Sequence, residues 1–330
     1  PATGVITSSW PPTRVRVPCS SATSRSIGGC MSDGELPTDW RKWILGARPR
    51  TLPAAVAPVL VGTAAAAGVT DLVAWVFLCA LGVAVFVQVA TNYANDYSDG
   101  KRGTDAPGER VGPPRLVGNG LATPAEVKRA TIVSFCLTAL FGLPLVVWVS
   151  PWLVLVGIAA IAAGWFYTGG PRPYGYAGFG EAFVFVFFGL VATVGSCFVQ
   201  TESITSLAVG CGVAMGCLST ALLVVNNLRD IPGDTRAGKR TLAVRLGDRS
   251  TRALFVTLLV VPMLLVPFLA GLSGRLLAAL ALLAVVPARR PVVAVLGGAR
   301  GRGLIPVLAD TGRVQMVYGG LLALGLFLGA

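Results

Sequence analysis

Hydrophobic and polar positions in this chain fall into blocks, not into the alternating faces of a soluble domain. Nine apolar stretches run approximately over 51–69, 72–94, 127–149, 151–168, 179–199, 203–226, 251–271, 274–288 and 314–330. Blocks of about 18 or more apolar residues have the length of a membrane span. The pattern therefore predicts an all-α, polytopic membrane bundle of about nine transmembrane helices. The eighth stretch is short and ends at Pro287, and the segment 291–308 (PVVAVLGGARGRGLIPVL) is broken by glycine, proline and arginine. That segment reads as a loop or an interfacial piece. Residues 1–40 are rich in Ser, Pro, Thr and Gly and lack both periodicity and the apolar core of a signal peptide. They read as a disordered tail ahead of one transmembrane unit over 41–330. Met31 opens a more ordinary stretch and reads as the natural start, with 1–30 an upstream extension.

Composition supports the membrane reading. Hydrophobic residues make up 54% of the 330 positions and charged residues only 13%, against about 25% charged in soluble domains. The net charge of +12, from 27 basic and 15 acidic residues, would suggest nucleic acid in a soluble protein. Here topology accounts for it, and no nucleic-acid partner is expected. With the N-terminus in the cytoplasm, Arg41, Lys42, Arg48 and Arg50 precede the first span. Lys101, Arg102, Arg110, Arg115, Lys128 and Arg129 follow the second, and Arg172 follows the fourth. Arg229 through Arg252 follow the sixth, and Arg289, Arg290, Arg300, Arg302 and Arg313 follow the eighth. The opposite side holds only Arg275. This asymmetry orients the chain in the plasma membrane with its basic connections in the cytoplasm.

The chain has 0 histidines, which removes a Ser-His-Asp triad, histidine haem ligation and a histidine zinc site. The cysteines form no CxxC pair. Cys79, Cys136, Cys197, Cys211 and Cys217 lie in apolar blocks and read as small buried residues.

Two polar clusters interrupt the apolar pattern. In NYANDYSDGKRGTD, Asn92, Asp96 and Asp99 recur at steps of four and three after the second span, and Gly100 and Gly103 open a loop that carries Asp105. In NNLRDIPGDTRAGKRTLAVRLG, Asn226, Asp230 and Asp234 recur at steps of four, although Pro232 and Gly233 put the helix near Asp234 in question. Such steps place side chains on one helix face. Both clusters read as an apolar span ending in Asn, then carboxylates, then a basic loop. Bare carboxylates in a bundle are costly, and a divalent cation offsets that cost. Mg²⁺ prefers oxygen ligands and commonly binds one or two carboxylates together with substrate phosphates. Arg115, Lys239 and Arg229, with Lys101 and Arg102 behind them, are candidates to neutralise a diphosphate. A lipid-linked diphosphate held at the membrane surface fits this arrangement. Tyr167, Tyr174 and Tyr176 are candidates to shield an allylic cation. The segment GWFYTGGPRPYGYAGFGEAF carries them. It reads either as an interfacial turn or as a substrate-binding loop. Glu181 either snorkels to the surface or lines a site for an aromatic acid.

These motifs resemble the UbiA superfamily of intramembrane prenyltransferases over residues 40–330. Within it, ARPRTLPAAVAPVLVGTA, NYANDYSDGKRGTD, RLVGNGLATP and NNLRDIPGDTRAGKRTLAVRLG are similar to the 1,4-dihydroxy-2-naphthoate polyprenyltransferase branch. The resemblance implies a helical bundle around a central cavity open to membrane lipid. It implies transfer of a polyprenyl group from a polyprenyl diphosphate to 1,4-dihydroxy-2-naphthoate. Loss of CO₂ and diphosphate would give demethylmenaquinone. Asp96, Asp99, Asp230 and Asp234 would hold Mg²⁺ and the diphosphate, assisted by Asn92, Asn226, Arg115 and Lys239. Two alternatives stand beside it: another acceptor such as 4-hydroxybenzoate, and a secondary transporter with an acidic ion site.

Overall fold

The computed structural model describes residues 39–103, 112 and 114–330. The tail as far as residue 38, Met31 within it, and Asp105 in the first loop lie outside the described residues. The first described helix, α1, is Arg41–Ala47. Then come α2 (Pro53–Ala66), α3 (Ala74–Arg102), α4 (Pro124–Trp148) and α5 (Leu153–Phe166). The next span joins α6 (Gly180–Val184), a π-helical turn (Phe185–Val191) and α7 (Ala192–Thr201). It is followed by α8 (Ser206–Arg236) and α9 (Leu242–Ser273). A 3₁₀ helix (Leu276–Ala284) then leads into α10 (Val285–Leu296), and α11 (Leu304–Leu328) ends the chain.

Seven of these helices or helix runs are long and apolar enough to cross a membrane, and α2 and α5 are shorter apolar helices. The nine apolar stretches thus resolve into seven of spanning length and two of 14 residues each. At 1.5 Å per residue a helix of that length reaches only about 21 Å, short of the roughly 30 Å hydrocarbon layer. The protein is an integral membrane protein.

Two boundaries differ from the sequence pattern. The segment 291–308 is not a loop: α10 continues to Leu296 and α11 begins at Leu304, ten positions before the apolar stretch suggested. Pro287 stands in the first turn of α10, where a missing N–H costs no intrahelical bond. The turn itself is confined to Gly297 and the residues after it, with positive φ at Gly298 (84°) and Gly301 (52°). The second span also outlasts its apolar residues, because α3 runs on through the acidic motif to Arg102 and stops at Gly103 (φ 71°).

Burial explains the layering. α8 lies at the centre, with 78% of its span window buried against 28% for α3, α4 and the 276–296 run. Small residues let the neighbours close in. A Cβ on Gly189 would sit 2.3 Å from Gly216 Cα, and one on Gly62 would sit 2.1 Å from the Thr193 carbonyl. This is the close backbone packing that membrane bundles use where apolar burial supplies no net drive. The 3₁₀ run shows the same logic at a different period. Residues three apart eclipse one another in a 3₁₀ helix, so Ala278, Ala281 and Ala284 form one fully buried face while Leu276 and Leu283 point outward.

The two ends of the bundle are tied differently. At one end Arg275 donates to the carbonyls of Leu326 (2.8 Å) and Ala67, at the C-terminal ends of α11 and α2. A cation there complements the helix dipoles. At the other end lie both acidic motifs, the 167–179 connection and the α10–α11 turn. Arg252 holds that turn: it pairs with Asp248 (2.6 Å) and donates to the carbonyls of Val295 (2.6 Å) and Ala299 (2.9 Å).

Candidate active site

Because α3 is unbroken to Arg102, Asn92, Asp96 and Asp99 do share one stripe. The stripe serves three different neighbours. Asn92 donates its amide to the Ala47 carbonyl (2.9 Å) and the Thr51 hydroxyl (3.1 Å), tying α3 to the turn between α1 and α2. Asp96, 1% exposed, accepts the Leu116 N–H at 2.9 Å on one oxygen and the Val117 N–H at 3.0 Å on the other. It anchors the loop that carries Arg115, itself buried. Asp99 accepts the Tyr176 hydroxyl on one oxygen and Lys239 Nζ, 3.3 Å away, on the other.

Asp99 is thus where the two motifs meet. Tyr176 lies 77 positions downstream in the α5–α6 connection, and Lys239 lies 140 downstream after α8. The Lys239 ammonium stands 4.5 Å from the Tyr176 ring centroid and the Arg102 guanidinium 5.3 Å from it. Arg102 also donates to the carbonyls of Thr168 and Gly170. The Thr168 hydroxyl donates to Asn95 at 2.8 Å, and the Arg240 N–H donates to the Tyr176 carbonyl at 2.9 Å. The 167–179 connection is therefore folded over the acidic motifs.

The second stripe also forms. α8 continues through Pro232 and Gly233 to Arg236, so Asn226, Asp230 and Asp234 lie along one face. Proline removes one backbone bond near the end of a helix held by tertiary packing along its length. Arg229 grips Asp230 with Nε (2.8 Å) and Nη2 (2.7 Å) and reaches Asn226 Oδ1 at 2.8 Å. The side chains of Arg229 and Asp230 are 2% and 10% exposed, and such bidentate pairs are the strong kind. The Lys239 N–H donates to the Asp234 carbonyl at 2.8 Å and brings the basic loop back over the helix end.

Glu181 is buried and does not snorkel. It accepts the Asn227 amide at 2.9 Å. Asn227 escaped the sequence reading, which stopped at Asn226. Consecutive helical residues point about 100° apart, so the Asn-Asn pair serves both Arg229 and Glu181. The usable signal was Glu181 itself, since a carboxylate at the edge of an apolar span needs a partner. Nearby, Tyr167 packs edge-on against Tyr174 (5.6 Å), which stacks on Phe183 (3.9 Å) and then Phe187 (6.1 Å). Burial first, then the charge of Glu181, pushes the Tyr167 phenol well above its usual range; Asp234 and Asp99 add to the effect. Burial likewise raises Tyr174. A protonated phenol can donate, accept or stack, and the Tyr174 hydroxyl donates to the Ala163 carbonyl at 2.8 Å.

Among the described residues, no three carboxylate or sulfur side chains gather into a ready metal cage. The expected ligands Asp96, Asp99, Asp230 and Asp234 all offer carboxylate oxygens. That chemistry fits Mg²⁺, which is commonly bound by one or two carboxylates plus substrate phosphates. It suits a metal that arrives with a diphosphate better than one caged by protein alone.

Comparison with known proteins agrees with this geometry. A model of the UbiA prenyltransferase family matches residues 55–296. A Mycobacterium tuberculosis protein named 1,4-dihydroxy-2-naphthoate octaprenyltransferase is 51% identical over 284 residues, covering 84% of this chain and 94% of the relative. Proteins of the same name are 42% identical in Escherichia coli (66% of this chain, 72% of the relative) and 31% identical in Bacillus subtilis (85% and 90%). The fold is similar to a UbiA homolog from Archaeoglobus fulgidus bound to DMAPP and Mg²⁺. The TM-score is 0.57 at 14% identity, covering 88% of this chain and 100% of that one. An apo UbiA homolog from Aeropyrum pernix K1 gives 0.60 at 14% identity, covering 86% and 98%. With the motifs meeting at one end of such a bundle, the family model matching residues 55–296, and half of the aligned residues identical to a relative along most of both chains, the chain belongs to the UbiA prenyltransferase family.

Proposed function

We propose that this protein transfers a polyprenyl group from a polyprenyl diphosphate to 1,4-dihydroxy-2-naphthoate. CO₂ and diphosphate are lost and the reduced product, demethylmenaquinol, is formed; demethylmenaquinone arises from it by a separate two-electron oxidation outside this reaction. The observation that carries this reading is the 51% identity, over 84% of the chain, to a protein named for that reaction. The convergence of both acidic motifs at Asp99 supports it.

Asp99, Asp230 and Asp234, with Asp96 from its anchored position, would present oxygens to Mg²⁺; an archaeal UbiA homolog of similar fold is described as bound to that ion and DMAPP. A bound Mg²⁺ would supply positive charge to the diphosphate leaving group. Lys239 and Arg229 are held by Asp99 and Asp230. Once a diphosphate is present, they donate to its oxygens. The stacked file of Tyr174, Phe183 and Phe187 offers π faces to the allylic cation and keeps water from it. The ring carbon bearing the carboxylate forms the new C–C bond, and CO₂ leaves. Asn92 and Arg115 position the loops around the site, and Glu181 with Asn227 flanks the acceptor. The site faces the cytoplasm, where the basic connections lie.

The test is product formation. Purified protein in nanodiscs, given polyprenyl diphosphate, 1,4-dihydroxy-2-naphthoate and Mg²⁺, yields a prenylated naphthoquinol, seen by mass as such or as the quinone that air oxidises it to. EDTA, Asp99→Asn and Asp230→Asn each abolish it. Product from 4-hydroxybenzoate alone keeps the family and overturns the acceptor.

A further inference from the structure

Away from the acidic motifs, a cleft of about 220 Å³ opens between α10 and α11, lined by Val286, Pro287, Arg290, Asp310 and Arg313. On this measure one water needs roughly 10–15 Å³, so the cleft has room for a polyatomic group. None of the acidic-motif residues lines it. We propose that it binds the phosphate headgroup of an anionic phospholipid, whose acyl chains lie along the outer face of α10.

Charge, shape and depth all point to that occupant. Residues 285–313 carry Arg289, Arg290, Arg300, Arg302 and Arg313 against a single acid, Asp310. Asp310 engages Arg313 at 2.8 Å. The cleft therefore keeps an excess of positive charge beside exposed Arg290. Directly alongside, Val286 is 74% exposed, and Leu283, Val285 and Val293 also face outward. A basic notch above an apolar strip matches an amphiphile with an anionic head. Arg290 stands six residues before the end of α10, and Arg313 stands nine residues into α11. At 1.5 Å per residue these offsets put them about 9 and 14 Å from the turn. Long guanidinium side chains at that depth extend to the headgroup layer. Basic notches between helices at a membrane face recognise anionic headgroups in this way.

The experiment uses the full chain in nanodiscs of phosphatidylcholine, with or without phosphatidylglycerol. Binding is read by native mass spectrometry and by the thermal midpoint. Phosphatidylglycerol is expected to stay bound to the wild type and raise its midpoint, while inorganic phosphate does neither. Removing both cations, Arg290→Gln with Arg313→Gln, weakens lipid retention roughly thirtyfold on the usual per-arginine contribution. Arg129→Gln, an exposed cation on α4, leaves it unchanged. Asp310→Asn, which releases Arg313, strengthens retention and keeps the test open if the double variant does not fold. Equal retention by the double variant, an equal loss in Arg129→Gln, or displacement of the lipid by a prenyl diphosphate would each overturn the proposal.

Discussion

Replacing Asp96 with asparagine separates an anchor from a mere ligand. The carboxylate is 1% exposed and accepts two backbone N–H groups, from Leu116 at 2.9 Å and Val117 at 3.0 Å. A hydrogen bond to a charged group contributes about 1.5–3 kcal/mol, and a neutral one about 1. Asparagine keeps one acceptor at neutral strength and turns an NH₂ donor toward the other backbone donor. One charge-assisted bond is lost and the second is weakened, for a cost of about 3 kcal/mol. At roughly 2–4 °C per kcal/mol the midpoint falls by about 6–12 °C. The assay is thermal unfolding of the detergent-solubilised chain without metal or substrate, paired with hydrogen exchange over residues 114–122. The loop amides should exchange faster, because their acceptor has gone. A midpoint within about a degree of wild type, with unchanged exchange, would refute the anchoring role and leave Asp96 as a metal ligand alone.

Arg229→Met strands the Asp230 carboxylate, whose side chain is only 10% exposed, and should cost about 3 kcal/mol; Arg229→Met with Asp230→Asn should recover most of it in thermal unfolding. Tyr176→Phe keeps the ring beside Lys239 and Arg102 but removes the hydroxyl donated to Asp99. About tenfold should be lost in kcat/KM for the prenyl diphosphate, with the fold intact by circular dichroism. Asn227→Leu leaves Glu181 without its amide partner and should destabilise the protein by about 1–3 kcal/mol, read as a lower midpoint that Asn227→Gln partly restores. Gly62→Ala forces a methyl to within 2.1 Å of the Thr193 carbonyl; α2 must shift, at a cost of about 1–3 kcal/mol or more.

The order of hydrophobic blocks and the spacing of the two acidic motifs are properties of the chain alone. They sufficed for a helical membrane bundle, for stripes carrying Asn92, Asp96 and Asp99, and for stripes carrying Asn226, Asp230 and Asp234. Hydrophobicity and a 3.6-residue period are local, so they survive without tertiary context. Helix ends do not. Leu304 to Arg313 joined α11, although Pro306, Asp310 and Gly312 interrupt the apolar pattern, because Leu304, Val307 and Thr311 pack inward, and α3 outlasted its apolar residues because Asp96 and Asp99 found partners beyond the span. Partner choice was equally hidden. Nothing in the spacing told Asp96, which turned to a backbone loop, from Asp99, which turned to Tyr176 and Lys239. Nor did it set Asn227, which holds Glu181, apart from Asn226. Each distinction is a matter of which distant segment lies within hydrogen-bond reach. Separations of 77 and 140 positions are closed only when the helices pack.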